Sequence, residues 1–153
     1  MIKAGVRTFE AAAYLRRVGA DVTRVRKMFR EDFDHYKMRS AIINRAEIYL
    51  SEFAISTLDG TKISGATVVG AKAANSLLSI QGIRASFVLT KLADCIYISA
   101  RSIDDVNVQV IMEKFGGGGH LTVAAAQVSD SPVADVIRSL KEILKIMKEE
   151  GDI

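Results

Sequence analysis

The residues with the clearest chemical potential are four consecutive glycines followed by a histidine. One glycine after a helix is an ordinary left-handed cap, but four in a row cost far more backbone entropy than a cap requires. Such a run makes sense where several backbone N–H groups converge on an anion that lies against the main chain. The sequence therefore predicts a phosphate-binding site formed by Gly116, Gly117, Gly118, Gly119 and His120.

The predicted helix before these glycines works against an anion, because the C-terminal end of a helix dipole is negative. We therefore expect the glycine N–H groups to turn away from that helix, and a side-chain cation to contribute. Arg101 follows a predicted buried strand, where ligands of open sheets usually lie, and a guanidinium can grip a phosphate bidentately. The alternatives without function are a flexible loop that happens to contain a histidine, and a salt bridge from Arg101 to Asp104 or Asp105.

Three further polar residues are weaker candidates for substrate binding. Ser102 follows Arg101 directly, while Asn107 and Thr122 lie close to the same predicted loops. Asn107, like Gln109, could read a base edge or simply face water. For Asn107 and Thr122 we favour solvent exposure.

The sequence predicts no catalytic residue and no metal ligand. Its two histidines are His35 and His120, and only His35 has acidic neighbours, in the segment 31–35. Adjacent helical positions point in different directions, so we interpret this segment as an acidic helix start. Since the chain also lacks a Cys–His pair, a serine triad and a Walker loop, it predicts a binding site without a catalytic centre.

The elements that must position these residues follow from the spacing of apolar side chains. Residues 7–48 have a helical pattern that predicts three short helices, the second capped by Asp21. After residue 52 the order β-α-β-β-α-β-α predicts an α/β (mixed α+β) fold, in which helices pack on a mixed sheet of at least four strands. We place a helical linker at 1–46 and the sheet domain at 47–153. The predicted strands are 53–57, 83–90, 95–100 and 124–128, and the helices 63–80, 105–115 and the segment after Pro132.

The same periodicity predicts which side chains are buried. In the second helix we expect a buried face of Val22, Val25, Met28 and Phe29, and in the third one of Phe33, Tyr36, Ile43 and Ala46. The final helix has a long apolar stripe at positions 133, 136, 137, 140, 143, 144 and 147. Gly65 and Gly70 within the fourth predicted helix suggest close packing.

Composition restricts the class of protein. With 153 residues, 49% hydrophobic and 25% charged, the chain is long enough for one core. One cysteine, no apolar run near the ~20 residues of a membrane helix and no secretion signal predict a cytoplasmic location. The first 45 residues carry 11 basic and 5 acidic side chains, a net +6, which could attract nucleic acid. We favour the simpler interpretation that these are solvated helix faces.

Two longer stretches resemble a known family. The segment ISARSIDDVNVQVIMEKFGGGGHLTVAAAQV resembles the C-terminal DHH-associated domain of DHH-family phosphoesterases. The segment GVRTFEAAAYLRRVGADVTRVRKMFREDFDHY is similar to the end of the DHH domain and its connecting helices. RTFEAA and SARS-x-x-DVNVQVIME, together with the glycine–histidine motif, make the resemblance specific to GdpP-type (YybT-type) cyclic-di-AMP phosphodiesterases.

The resemblance implies a function for the site. Full-length relatives hold two manganese ions in the DHH domain, whose Asp-His-His signature is absent from these 153 residues. The family's glycine loop and histidine hold the nucleotide, which implies substrate contacts at Gly116–Gly119 and His120, with Arg101 helping. This chain would then be the binding domain of a manganese-dependent phosphodiesterase that hydrolyses cyclic-di-AMP to pApA, and would be inactive alone. Val123 stands where relatives often carry a polar residue.

The implied partners are a cyclic dinucleotide or short oligonucleotide, the DHH catalytic domain and a second copy in a homodimer. The parent would be membrane-anchored, with this domain facing the cytoplasm. One alternative is the nucleic-acid-binding domain of a RecJ-like or oligoribonuclease-type exonuclease, although 7% aromatic residues and no Trp weaken it. Another is a non-catalytic RNA or interaction domain like the C-terminal domain of alanyl-tRNA synthetase.

Overall fold

The computed structural model describes residues 4–103 and 105–153, and the chain divides into two compact units between Phe33 and Asp34. The first unit contains α1 (Val6–Arg17) and α2 (Val22–Met28). Asp21 caps α2 as predicted, because its carboxylate accepts a hydrogen bond from the Thr23 N–H at 2.8 Å.

The predicted buried face of α2 is wrong. Neither α1 nor α2 contains a buried residue, and both Met28 and Phe29 are 82% exposed. Val22 and Val25 are exposed as well. The periodicity correctly predicted a helix, but α1 and α2 bury no residue in a core.

The second unit is built on a six-stranded mixed sheet, which confirms the predicted α/β class. Its strands lie in the order β1-β2-β3-β4-β6-β5, with β2 and β3 parallel and every other neighbouring pair antiparallel. The strands are β1 (Glu47–Tyr49), β2 (Phe53–Asp59), β3 (Ala85–Leu92), β4 (Cys95–Ser102), β5 (Gly118–His120) and β6 (Val123–Ser129). The helices are α3 (Phe33–Asn44), α4 (Ala66–Leu77), α5 (Val108–Glu113) and α6 (Val133–Glu150).

The sheet carries a hydrophobic cluster on each face. On one face Phe87 and Ile98 pack with Ile111 of α5 and with α6, whose predicted stripe is confirmed by the buried Leu140 and Leu144. On the other face Val88 packs with α4 and α3. The alternation of buried side chains along β4 therefore assigns each of its residues to one of the two faces.

The predicted buried face of the third helix is confirmed in part: Ile43 packs against the core, as does Ala46 just beyond the end of α3. Ile42 is fully buried, with Met38 and Ala46 packed around it, whereas Phe33 and Tyr36 remain exposed. Met38 and Ile42 are spaced i, i+4 and thus share one face of α3. Ile42 is held further by its carbonyl, which accepts a hydrogen bond from Ser56 Oγ at 2.7 Å.

Two other differences concern element boundaries. Asn107, and not Asp104 or Asp105, caps α5, since its Oδ1 accepts from the N–H groups of Gln109 and Val110. The short strands β1 and β5 were not predicted, because three residues carry too little periodicity. At Gly70 the expected close packing is confirmed, since an added Cβ would lie 2.4 Å from Thr90 Oγ1. At Gly65 it is wrong, because this residue caps α4 at φ +66° and an added Cβ would meet nothing within 4 Å.

Candidate functional site

Two of the predicted site residues lie in one row across the sheet. Along β4, Ile98 and Ala100 face the core with α5 and α6, so Arg101 points to the opposite face, where α4 packs. The register pairs Arg101 with Val123 of β6, and Val123 with His120 of β5. At ~4.8 Å between neighbouring strands, the backbones of Arg101 and His120 are roughly 10 Å apart.

The next row on this face consists of small residues. Ser99, Ala125 and Gly118 are paired across the same three strands, and Val123 and Ala125 are exposed. The sheet is therefore accessible along β6 and at His120 of β5, whereas Ser99 and Arg101 of β4 are half-buried. We call this surface the open face; it is formed by Ser99, Arg101, Gly118, His120, Val123 and Ala125.

The guanidinium of Arg101 is held by two neutral acceptors. Its Nε donates to Asn75 Oδ1 of α4 at 3.0 Å, and its Nη1 donates to its neighbour's carbonyl, Ala100 O, at 2.8 Å. Asp105 does not pair with Arg101, because its carboxylate accepts from Arg84 Nη2 at 2.6 Å. Asp104, the other predicted partner, lies outside the described residues. Partial burial lowers the pKa of Arg101, which nonetheless stays protonated because guanidinium groups do not lose their proton in proteins.

The first two glycines of the run donate their N–H groups to carbonyls of α5. The Gly116 N–H donates to Glu113 O at 3.0 Å and the Gly117 N–H to Met112 O at 2.9 Å, with Gly116 at φ +72°. This pair of bonds is a Schellman motif that ends α5. The expectation that the glycine donors turn away from the preceding helix is therefore wrong for these two.

Close packing against β6 explains two glycines. A Cβ on Gly117 would lie 2.2 Å from Ala125 O, and one on Gly119 would lie 2.5 Å from Ala124 Cα. A Cβ on Gly118 would meet nothing within 4 Å. Gly118 lies beside Ala125 on the open face, and its missing side chain leaves the surface above this pair unobstructed.

The three weaker candidates have structural explanations. Ser102 lies on the face opposite to Arg101, and its Oγ donates to Leu121 O at 3.3 Å. Asn107 caps α5, and Thr122, in the turn between β5 and β6, accepts the Ser102 N–H at its carbonyl. Their predicted substrate contacts stay predictions.

Sequence reasoning missed two contributions to this region. Asn75, which holds Arg101, lies 26 positions away in the chain, and no local pattern connects the two. Gln127 and Tyr97, joined by a 3.2 Å hydrogen bond, form the row beyond Ser99. Period-2 alternation along β4 and β6 was the available signal for this second pair, but it does not show which face is uncovered.

The described residues do not form a metal centre or a membrane span. Across 4–103 and 105–153, no group of three or more His, Cys, Asp and Glu side chains is placed to hold a metal ion. Within these ranges, every helix is too short or too polar to cross a bilayer.

The fold places the second unit in a class that recurs in solved structures. An exopolyphosphatase-related protein from Bacteroides fragilis matches 95% of this chain and 44% of its own length, with a TM-score of 0.83 and 19% identity. The C-Ala domain of Aquifex aeolicus alanyl-tRNA synthetase matches 65% of this chain and 97% of its own, with a TM-score of 0.52 and 17% identity. At these identities the likeness concerns the fold alone.

The sequence identifies the family. Residues 53–150 match the DHHA1 domain model, and the chain belongs to the DHHA1 domain family. It is 45% identical to the cyclic-di-AMP phosphodiesterase GdpP of Geobacillus thermodenitrificans over 98% of its length, and 46% identical to the cyclic-di-AMP phosphodiesterase PdeA of Listeria monocytogenes over 91%. These matches confirm the resemblance to DHH-family phosphodiesterases. The chain spans only 23% and 21% of those two relatives.

Proposed function

We propose that this chain is the substrate-holding domain of a DHH-family phosphodiesterase that hydrolyses cyclic-di-AMP to pApA, and that the open face binds the nucleotide. The observation that carries the proposal is the row Arg101–Val123–His120, in which Val123 and His120 are exposed and Arg101 is half-buried. The names of the two relatives at 45% and 46% identity support the choice of substrate.

The open face offers complementary chemistry to a nucleotide. Arg101 keeps a positive charge and free N–H donors, and His120 adds a ring nitrogen from the edge strand. A phosphate above Val123 lies between these two side chains and can be contacted by both. Ser99, Ala125 and Gly118 form a flat floor of small residues beside it, on which a purine ring can lie without obstruction.

The chain's own contribution is binding and orientation. The two manganese ions that the family implies do not fit the described residues, among which no suitable group of ligands is found. We therefore derive no step through them and assign hydrolysis to the DHH domain of the parent polypeptide. Holding the phosphate in one orientation is a genuine contribution to catalysis, because it converts the encounter of reactants into a step within one complex.

Calorimetric titration with cyclic-di-AMP and pApA tests the proposal. Arg101→Gln should weaken binding by about 10-fold or more, because it removes charge-assisted hydrogen bonds worth about 1.5–3 kcal/mol. His120→Ala should weaken it by about 3- to 10-fold through the loss of one hydrogen bond. Arg138→Gln is the matched control, because it removes the same charge from an exposed position of α6.

Equal losses for Arg138→Gln and Arg101→Gln would show that only net charge matters and would contradict the assigned site. Turnover of cyclic-di-AMP by the pure chain with manganese would contradict the assignment of hydrolysis to another domain. A preference for oligonucleotides with steep salt dependence would favour the exonuclease alternative instead.

A further inference from the structure

We propose that Asn75 is a positioning residue that holds the guanidinium of Arg101 ready for a phosphate without compensating its charge. The inference rests on the proposed function, since it concerns how the same site takes its anion. Asn75 lies in the last turn of α4, and the contact joins this helix to the end of β4.

The hydrogen bonds leave the outer edge of the guanidinium available. A guanidinium has five N–H donors, of which Nε–H is used by Asn75 Oδ1 and one on Nη1 by Ala100 O. The remaining donors are on Nη1 and Nη2, the pair of nitrogens that can bind two phosphate oxygens side by side. Fixing Nε also restricts a side chain that otherwise loses much rotamer freedom on binding.

The acceptor's lack of charge distinguishes Arg101 from another arginine of the same sheet. Arg84 is bound by two carboxylates, with Nη1 2.8 Å from Glu52 Oε2 and Nη2 2.6 Å from Asp105 Oδ1, so its charge is already balanced. Among the described residues Arg101 forms no such salt bridge, and both of its acceptors are neutral oxygens. Arg84 is thus suited to holding the fold together, and Arg101 to attracting an external anion.

Two substitutions separate positioning from charge. Asn75→Ala removes the acceptor and should weaken cyclic-di-AMP binding by about 3- to 10-fold, the equivalent of one hydrogen bond. Asn75→Asp keeps an acceptor oxygen at the same place but introduces a negative charge beside the phosphate position, so binding should weaken by about 10-fold or more. Asn44→Asp makes the same chemical change at the exposed end of α3 and should leave affinity within about 2-fold.

An NMR measurement reports the contact independently of any ligand. In the free chain, the Nε–H signal of Arg101 should be protected from exchange in the wild type and in Asn75→Asp, and should lose that protection in Asn75→Ala. Thermal melting of each variant shows that the fold is intact. An unchanged Nε–H signal in Asn75→Ala would overturn the positioning contact.

Binding by Asn75→Asp at wild-type affinity would overturn the argument from charge. If the wild type binds neither cyclic-di-AMP nor pApA while the Nε–H signal responds as expected, the proposed function fails and the contact between Asn75 and Arg101 stands as a structural one. Calorimetry can thus contradict the proposed function, and the NMR signal can contradict the contact between Asn75 and Arg101, independently of each other.

Discussion

Replacing Gly117, Gly118 and Gly119 one at a time by alanine should separate the two glycines needed for packing from the one beside the proposed ligand. A Cβ at position 117 would lie 2.2 Å from Ala125 O, and one at position 119 would lie 2.5 Å from Val123 O. Gly119 also has φ +152°, which L side chains rarely adopt. A Cβ at position 118 would meet nothing within 4 Å.

The expected loss of stability in each variant depends on which atoms must move to make room for the new methyl group. Overpacking costs about 1–3 kcal/mol, and the obstructing atoms here are backbone atoms of β6, which cannot yield as a flexible side chain does. We expect Gly117→Ala and Gly119→Ala to lower the free energy of unfolding by about 3 kcal/mol, and the melting temperature by about 10 °C. Gly118→Ala should leave stability unchanged or raise it by about 0.5 kcal/mol, since alanine restricts the unfolded chain.

Thermal and urea unfolding followed by circular dichroism measure these differences, and titration with cyclic-di-AMP measures binding. Gly118→Ala should bind more weakly at full stability, because its methyl group would stand on the open face next to Ala125. A loss of stability in Gly118→Ala equal to that in Gly119→Ala would refute the register of β5 on β6. Full stability together with wild-type affinity would refute the close approach of the nucleotide to Gly118.

Two further predictions concern the core and the acid sensitivity of the fold. Thr90 Oγ1 is buried and has no hydrogen-bond partner among the residues that the structure describes, so Thr90→Val should leave the urea midpoint unchanged or raise stability by about 1 kcal/mol. A clear loss of stability would mean that the hydroxyl has a partner. Burial raises the pKa of Glu52, but its hydrogen bonds and ion pairs with Lys148 and Arg84 outweigh this and bring the pKa below the usual 4.5. The ionised carboxylate of Glu52 therefore stabilises the fold above about pH 4.5, and this contribution is lost as the pH falls through the lowered pKa of the folded state. The difference in unfolding free energy between wild type and Glu52→Gln should thus shrink from about pH 5 to about pH 3, and a difference that is constant with pH would contradict this.

The sheet and its helices were largely predictable because their signals are local. The stripe of α6 and the alternation along β4 each follow from periodicity within one element. The buried face of α3 was predictable only in part, because Ile43 and Ala46 were identified but the aromatic Phe33 and Tyr36 were favoured over Met38 and Ile42. Which apolar stripe is buried depends on the partner surface, and the sequence of one helix does not contain that information.

The residues of the proposed site can be named from the sequence, but their arrangement in space cannot. Arg101 follows from its place at a strand end, and His120 from the glycines before it. Their proximity depends on β6, which lies between β4 and β5 although it follows both in the chain. Asn75 was out of reach for the same reason, since its contact with Arg101 joins two elements with no common pattern.

The hydrogen bonds and packing of the glycine run change the physical explanation for its occurrence. A nest of amides for an anion would require most of the N–H groups to be free, but those of Gly116 and Gly117 end α5. Gly117 and Gly119 instead allow the chain to leave α5 and lie directly against β6, which brings His120 into register with Val123. We therefore propose that the glycines act on a ligand chiefly by placing the imidazole in the row of Arg101, with Gly118 keeping the surface beside it open. On this account Gly119→Ala should weaken binding through displacement of His120, and adding His120→Ala to it should cost little more affinity, whereas a nest of amides would make the two losses additive.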